Sequence, residues 1–200
     1  LSGEGSGHDW FHIERVHRTA LAMAGEEHAD LFVVELAALL HDVADWKFAG
    51  GDHEAGPRAA RSWLESLAVP AVVIDHVCEI IAGLSFKGAG VATTMRTPEG
   101  QVVEDADRLD ALGAIGIARA FAYGGHKGRA LYDAAVAPES HDSFEAYKKN
   151  TGPTINHFYE KLLLLSDRMN TTAGKRLAAA RHDFMDRYLE QFFAEWEGKR

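Results

Sequence analysis

Between Asp30 and Trp46 the chain is apolar almost without a break, and a helix that is hydrophobic on every side must be surrounded by other elements. That single segment argues for a helical bundle with this helix at its centre. Its far end changes character, because Ala37-Ala38-Leu39-Leu40 runs directly into His41, Asp42 and Asp45. Ala38, His41, Asp42 and Asp45 fall at i, i+3, i+4 and i+7, one stripe of a helix. Leaving ionisable groups unpaired in a buried place costs several kcal/mol, and the usual remedies are a partner or a metal. The plain alternative is a polar helix end with a capping aspartate.

The rest of the sequence reads as helices around that centre. A first helix is expected from His8 to about Ala24, with Asp9 as cap, Phe11, Val16, Ala20 and Met23 as its apolar or small positions, and Gly25 as its end. His12, Arg15 and Val16 share one of its faces. After the Gly50-Gly51 break, a third helix spans His53 to about Leu67, and a fourth opened by Pro70 spans Ala71 to about Leu84. Ser85 to Thr97 reads as a loop of functional length, with a short extended piece at Gly90 to Thr94. A fifth helix is expected from Glu99 to about Tyr123, with Gly113 and Gly116 marking close approach to a neighbour. Gly124 to His141 is irregular by its punctuation, and two last helices cover about Thr154 to Met169 and Thr172 to Trp196. The reading is one all-α domain over residues 1–200, a single-domain helical bundle.

Composition narrows the partners. A formal net charge of −9 argues against a protein built to grip a nucleic-acid polymer. It leaves room for a small phosphate, since a metal supplies local positive charge inside an acidic protein. The lone Cys78 excludes an intrachain disulfide and a cysteine-based zinc site, and points to a reducing, cytoplasmic setting. No apolar run approaches the roughly 18 residues of a membrane span. The amphipathic last helix suits packing within its own chain or against a second copy, so a homo-oligomer stays open.

Mixed imidazole and carboxylate ligands suit ions such as Mn²⁺, Mg²⁺, Ni²⁺ or Co²⁺ with water positions left over. His41 and Asp42 are adjacent candidates. A histidine from a preceding helix and an aspartate from a later one would complete the set. His12 is the best candidate for the first, lying one turn before Val16 in a helix that otherwise faces the core. For the last, Glu104-Asp105-Ala106-Asp107-Arg108-Leu109-Asp110 offers four acids. Asp105 and Asp107 point roughly 200° apart on a helix, so at most one of them reaches the site.

His12, then His41-Asp42, then Ala106-Asp107-Arg108-Leu109 resembles the H…HD…D signature of the HD-domain metal-dependent phosphohydrolase superfamily. The likeness is nearest to its small stand-alone bacterial hydrolases. It extends over residues 8–16, 41–48 and 104–116, the Ala120 to Gly125 stretch and the Ile155 to Leu162 stretch, and so covers most of the chain. The resemblance implies an HD-type helical bundle with His12, His41, Asp42 and Asp107 as ligands of one divalent ion, and Asp105 in reserve. It also implies that Asp45, one turn after the His-Asp pair, handles the attacking water. His53-Glu54-Ala55-Gly56 resembles an H-x-x-G stretch of binuclear members, but Leu84-Ser85 stands where those members carry a further histidine. One ion is therefore expected, and His53 is read either as a pocket residue that binds phosphate or shuttles a proton, or as a helix-start histidine without a role. His76 is expected to be exposed.

The implied activity is hydrolysis of a phosphoester or phosphoanhydride bond in a nucleotide or related small phosphate. Arg15, Lys47 and Lys87 are the candidates for clamping its phosphate oxygens. Two other readings accompany it: a non-catalytic, metal-dependent nucleotide-binding or sensing module, and a di-iron oxygenase of the same fold. The second would need the histidines that Leu84-Ser85 replaces.

Overall fold

The computed structural model describes residues 9–44, 52, 54–84, 95–139 and 151–199. The extended piece expected at Gly90 to Thr94 lies outside them, as do Asp45, Lys47, His53 and Lys87. Seven α-helices are found among the described residues: α1 Trp10–Glu26, α2 Leu31–Leu40, α3 Ala55–Ser66, α4 Ala71–Gly83, α5 Pro98–Asp110, α6 Gly113–His126 and α7 Thr172–Trp196. No strand occurs among them, and no helix is long and apolar enough to cross a membrane.

Local chemistry sets the helix starts. Asp9 caps α1 by accepting from the His12 N–H at 2.9 Å, and Asp30 caps α2 by accepting from the N–H groups of Phe32 and Val33. Thr97 caps α5 ahead of Pro98, whose missing N–H is harmless in a first turn. α1 runs through Gly25, which was expected to end it. The left-handed residue that turns the chain is His28 at φ 55°, a residue type that tolerates this region better than most. Phe11, one of the apolar positions of this helix, is exposed, whereas His12 and Ile13 beside it are fully buried.

α2 is the hub, packed against α1, α4 and α5, with Val33, Val34, Ala37, Ala38 and Leu40 buried. α3 and α4 form a hairpin on one side, and α7 lies across α5 and α6 on the other. The helix of α2 ends at Leu40, several residues earlier than expected, and His41 to Ala44 form turns. That early end delivers His41 and Asp42 at the interface with α1 and α5.

Two expected helices differ in shape. Residues 158–168 are a π-helical turn, Phe158–Leu162, followed by a 3₁₀ segment, Leu163–Arg168. The wide turn and then the tight one keep Phe158, Leu162, Leu165 and Met169 all in the core. The expected single helix from Glu99 to Tyr123 is broken into α5 and α6 by an elbow at Ala111-Leu112. Gly113 sits there at φ 69°. Gly116, read from sequence as a close helix–helix approach, instead packs on the carbonyl of Ala111 within this elbow. Gly116→Ala would drive a Cβ into that backbone oxygen. We expect it to lower unfolding free energy by about 1–3 kcal/mol in a denaturant titration, a backbone clash having no flexible atom to yield.

One partly buried group gives the fold a pH signature. Burial, with Lys161 and Arg129 adding to it, pushes the pKa of His157 from 6.5 down to about 3. A histidine held neutral in this way contributes stability above the unfolded-state value of about 6.5, and that contribution is lost as pH falls from there toward 3. His157→Gln should therefore flatten the loss of stability between pH 6.5 and 4 relative to the parent. Parallel acid slopes in urea titrations of the two proteins would contradict this.

Candidate metal centre

Three helices meet where the acidic and imidazole groups converge. α1 contributes His12 from its first turn, the end of α2 contributes His41 and Asp42, and α5 contributes Asp107. His12 Nε2 lies 3.2 Å from His41 Nε2. Asp42 Oδ2 is 3.6 Å from His12 Nε2 and 3.8 Å from His41 Nε2. Asp107 Oδ1 is 3.4 Å and 4.0 Å from the same two nitrogens. His12 and His41 are buried, whereas the Asp107 side chain is 37 % exposed and marks the side toward solvent.

The opposite ring nitrogens decide what those atoms are. His41 Nδ1 is 2.7 Å from the carbonyl oxygen of Ala38, a group that can only accept, so His41 Nδ1 carries the proton. His12 Nδ1 is 2.7 Å from Asp110 Oδ2. Burial alone would raise the Asp110 pKa, but His12, Arg15 and Arg119 outweigh it and lower it from 3.8 to about 2. Asp110 is thus a carboxylate, and His12 Nδ1 carries a proton as well. In their neutral forms both histidines turn Nε2 lone pairs toward each other, with two carboxylates beside them. Four acceptor atoms face inward. Such a set fits a divalent ion with nitrogen and oxygen ligands, each imidazole held in its tautomer by the bond on its far side.

Without an ion, a proton serves the same end. Burial lowers the pKa of His12, but Asp107 and Asp110 outweigh it and raise it from 6.5 to about 9. The imidazolium then donates from Nε2 into the acceptor cluster.

The remaining sequence candidates are distributed as follows. Arg15 lies beside the cluster and donates to both oxygens of Asp110, Nε to Oδ1 at 2.7 Å and Nη2 to Oδ2 at 3.0 Å. Asp105, the reserve ligand, points the other way and is fully buried. It accepts from the N–H of Asn170 and from both the N–H and Oγ1–H of Thr171, tying α5 to the start of α7. His76, expected to be exposed, is partly buried at 2.9 Å from Thr97 Oγ1. Asp110 was one of the four acids offered by the 104–110 stretch without a role of its own, and Arg119 carried no expectation from sequence. The first was detectable, since Asp110 follows Asp107 by three residues on one helix face. The second was not, because its place depends on the elbow.

Comparison with known proteins places these residues in context. A family model described as the HD domain matches residues 10–112. The chain is 41 % identical over 192 residues to the Bacillus subtilis (strain 168) protein YpgQ, covering 96 % of this chain and 85 % of that one. Among solved structures, an HD-superfamily hydrolase from Bacillus thuringiensis superposes with a TM-score of 0.76 at 47 % identity, over 96 % of this chain and 87 % of the other. A structure of Bacillus subtilis YpgQ in complex with ADP gives a TM-score of 0.77 at 38 % identity, over 98 % and 94 % of the two chains.

Proposed function

Because the chain belongs to the HD-domain family, with an all-α HD fold shared with small bacterial HD-superfamily hydrolases, we propose that it hydrolyses a phosphoester or phosphoanhydride bond in a nucleotide or related small phosphate with one divalent ion. The observation that carries the reading is the convergence of His12, His41, Asp42 and Asp107, with nitrogen and carboxylate oxygen atoms from three helices within 4.0 Å of the two Nε2 atoms. The YpgQ complex with ADP supports a nucleotide as the ligand.

When bound, a divalent ion such as Mn²⁺, Mg²⁺, Ni²⁺ or Co²⁺ supplies charge neutralisation at a phosphoryl oxygen and lowers the pKa of the attacking water. The two imidazoles and two carboxylates would hold it, with Asp107 on the solvent side. Asp45 would orient or deprotonate the attacking water, and His53 would bind phosphate or shuttle a proton. Arg15 keeps N–H groups beyond the two that hold Asp110, and these, with Lys47 and Lys87, clamp the phosphate oxygens.

A screen of nucleoside mono-, di- and triphosphates with Mn²⁺, read by product identification, tests this directly. Pyrophosphate release identifies attack between the α and β phosphates, and orthophosphate release identifies attack at a terminal phosphate. Failure on all three classes, with Mn²⁺ demonstrably bound, would leave a nucleotide-binding module in place of an enzyme.

Uptake of the ion has its own pH signature. At pH 7 His12 holds an extra proton, its pKa being about 9, and an ion on Nε2 must expel it. Mn²⁺ binding should release close to one proton per ion at pH 7, falling toward none above pH 9. Calorimetric titrations in buffers of different ionisation enthalpy read that number. Release that does not change between pH 7 and pH 10 would contradict the assignment of His12.

A further inference from the structure

One heavily engaged carboxylate touching the cluster is not among the four inward acceptors. Asp110 Oδ2 takes His12 Nδ1 at 2.7 Å, Arg119 Nη1 at 2.7 Å and Arg15 Nη2 at 3.0 Å, and Oδ1 takes Arg15 Nε at 2.7 Å. Both oxygens are engaged by neighbouring donors, Oδ2 by three of them and Oδ1 by one. The carboxylate has a fixed position, because it is held from α1 and from α6 at once.

The elbow between α5 and α6 makes that second hold geometrically attainable. Residues 110 and 119 are nine apart, which on one straight helix puts them on opposite faces and about 13 Å apart along the axis. No arginine side chain spans that route back. With the chain broken at Ala111-Leu112, Arg119 returns over the end of α5 and donates both to the Asp110 side chain and to its backbone carbonyl at 3.1 Å.

We propose that Asp110 is the positioning residue of the metal centre, fixing the Nδ1–H tautomer and ring orientation of His12 while Arg15 and Arg119 hold the carboxylate in place. This rests on the metal-centre reading above and adds to it a residue that is not one of the four of the H…HD…D signature. Its function passes through His12 alone, as a hydrogen-bonding partner on the far side of an imidazole ligand commonly does. Removing such a partner typically weakens metal binding by roughly 10–100-fold even though no ligand is touched.

Asp110→Asn keeps the size of the side chain and replaces a charge-assisted hydrogen bond with a weaker neutral one. Two readouts decide the matter. Mn²⁺ affinity, measured on the metal-free full chain by calorimetry, is expected to fall at least about tenfold. In the Cd²⁺-loaded parent, nitrogen-resolved NMR is expected to show His12 protonated at Nδ1 with a downfield, exchange-protected proton, and in the variant that signal shifts or disappears. The parent spectrum stands as a test even if the variant does not fold, since a His12 protonated at Nε2 in the loaded parent overturns the inference. So does a folded variant with Mn²⁺ affinity within twofold of the parent and an unchanged Nδ1 signal. A parent that takes up no Mn²⁺ overturns the metal reading itself, so the two failures are distinguishable.

Discussion

Asp42→Ala is expected to lose divalent-ion binding and, with it, the proposed nucleotide hydrolysis. Asp42 Oδ2 lies within 4 Å of both inward Nε2 atoms and supplies one of the two carboxylate charges there. Without it the set is two imidazoles and Asp107, too little negative charge to draw a hard divalent ion out of water. Since changes behind a ligand already weaken binding by roughly 10–100-fold, loss of a ligand should exceed about a hundredfold. The variant should still fold, because Asp42 sits on a turn outside the apolar core. Asp45→Ala makes the complementary case: Mn²⁺ affinity stays near the parent's, while turnover falls by roughly 10²–10⁴. Retained turnover there would remove Asp45 from the reaction.

Asp105→Ala is expected to damage the fold and leave the cluster's four side chains intact. Asp105 is fully buried, accepting from the Asn170 N–H at 2.9 Å, the Thr171 N–H at 2.8 Å and the Thr171 hydroxyl at 2.7 Å. Thr171 in turn caps α7 by accepting from the Gly174 N–H. Alanine leaves those donors facing a void, and breaking a buried, charge-assisted network of this kind costs about 3–5 kcal/mol. Asp107→Ala, two residues along the same helix, should cost the metal-free protein clearly less stability than Asp105→Ala and should abolish tight Mn²⁺ binding. Denaturant titrations and metal titrations on the pair separate the two roles, and similar stability losses in both variants would contradict this division.

That division shows how far periodicity alone reaches. Two residues on a helix point to nearly opposite sides, so the sequence implies that Asp105 and Asp107 cannot both serve one site. Which of them faces α1 follows from the packing of α5, not from its letters. The helical class and the central place of the 31–40 segment were readable from an apolar run that needs covering on every side. The elbow was not, because Ala111-Leu112 carries no proline and the glycines after it are equally at home in a tight helix crossing. With the elbow hidden, the return of Arg119 onto Asp110 was hidden too. The π and 3₁₀ turns of residues 158–168 escaped for a related reason, since their apolar spacing reads as an ordinary helix and only core packing sets the pitch.

The most direct measurement is an anomalous-scattering map from crystals of this protein grown with Mn²⁺. The account predicts one strong peak per chain, within bonding distance of His12 Nε2, His41 Nε2 and carboxylate oxygens of Asp42 and Asp107, with Asp110 behind His12 and off the ion. A peak elsewhere, two peaks in the cluster, or an ion that leaves His12 or Asp107 unbound would contradict it.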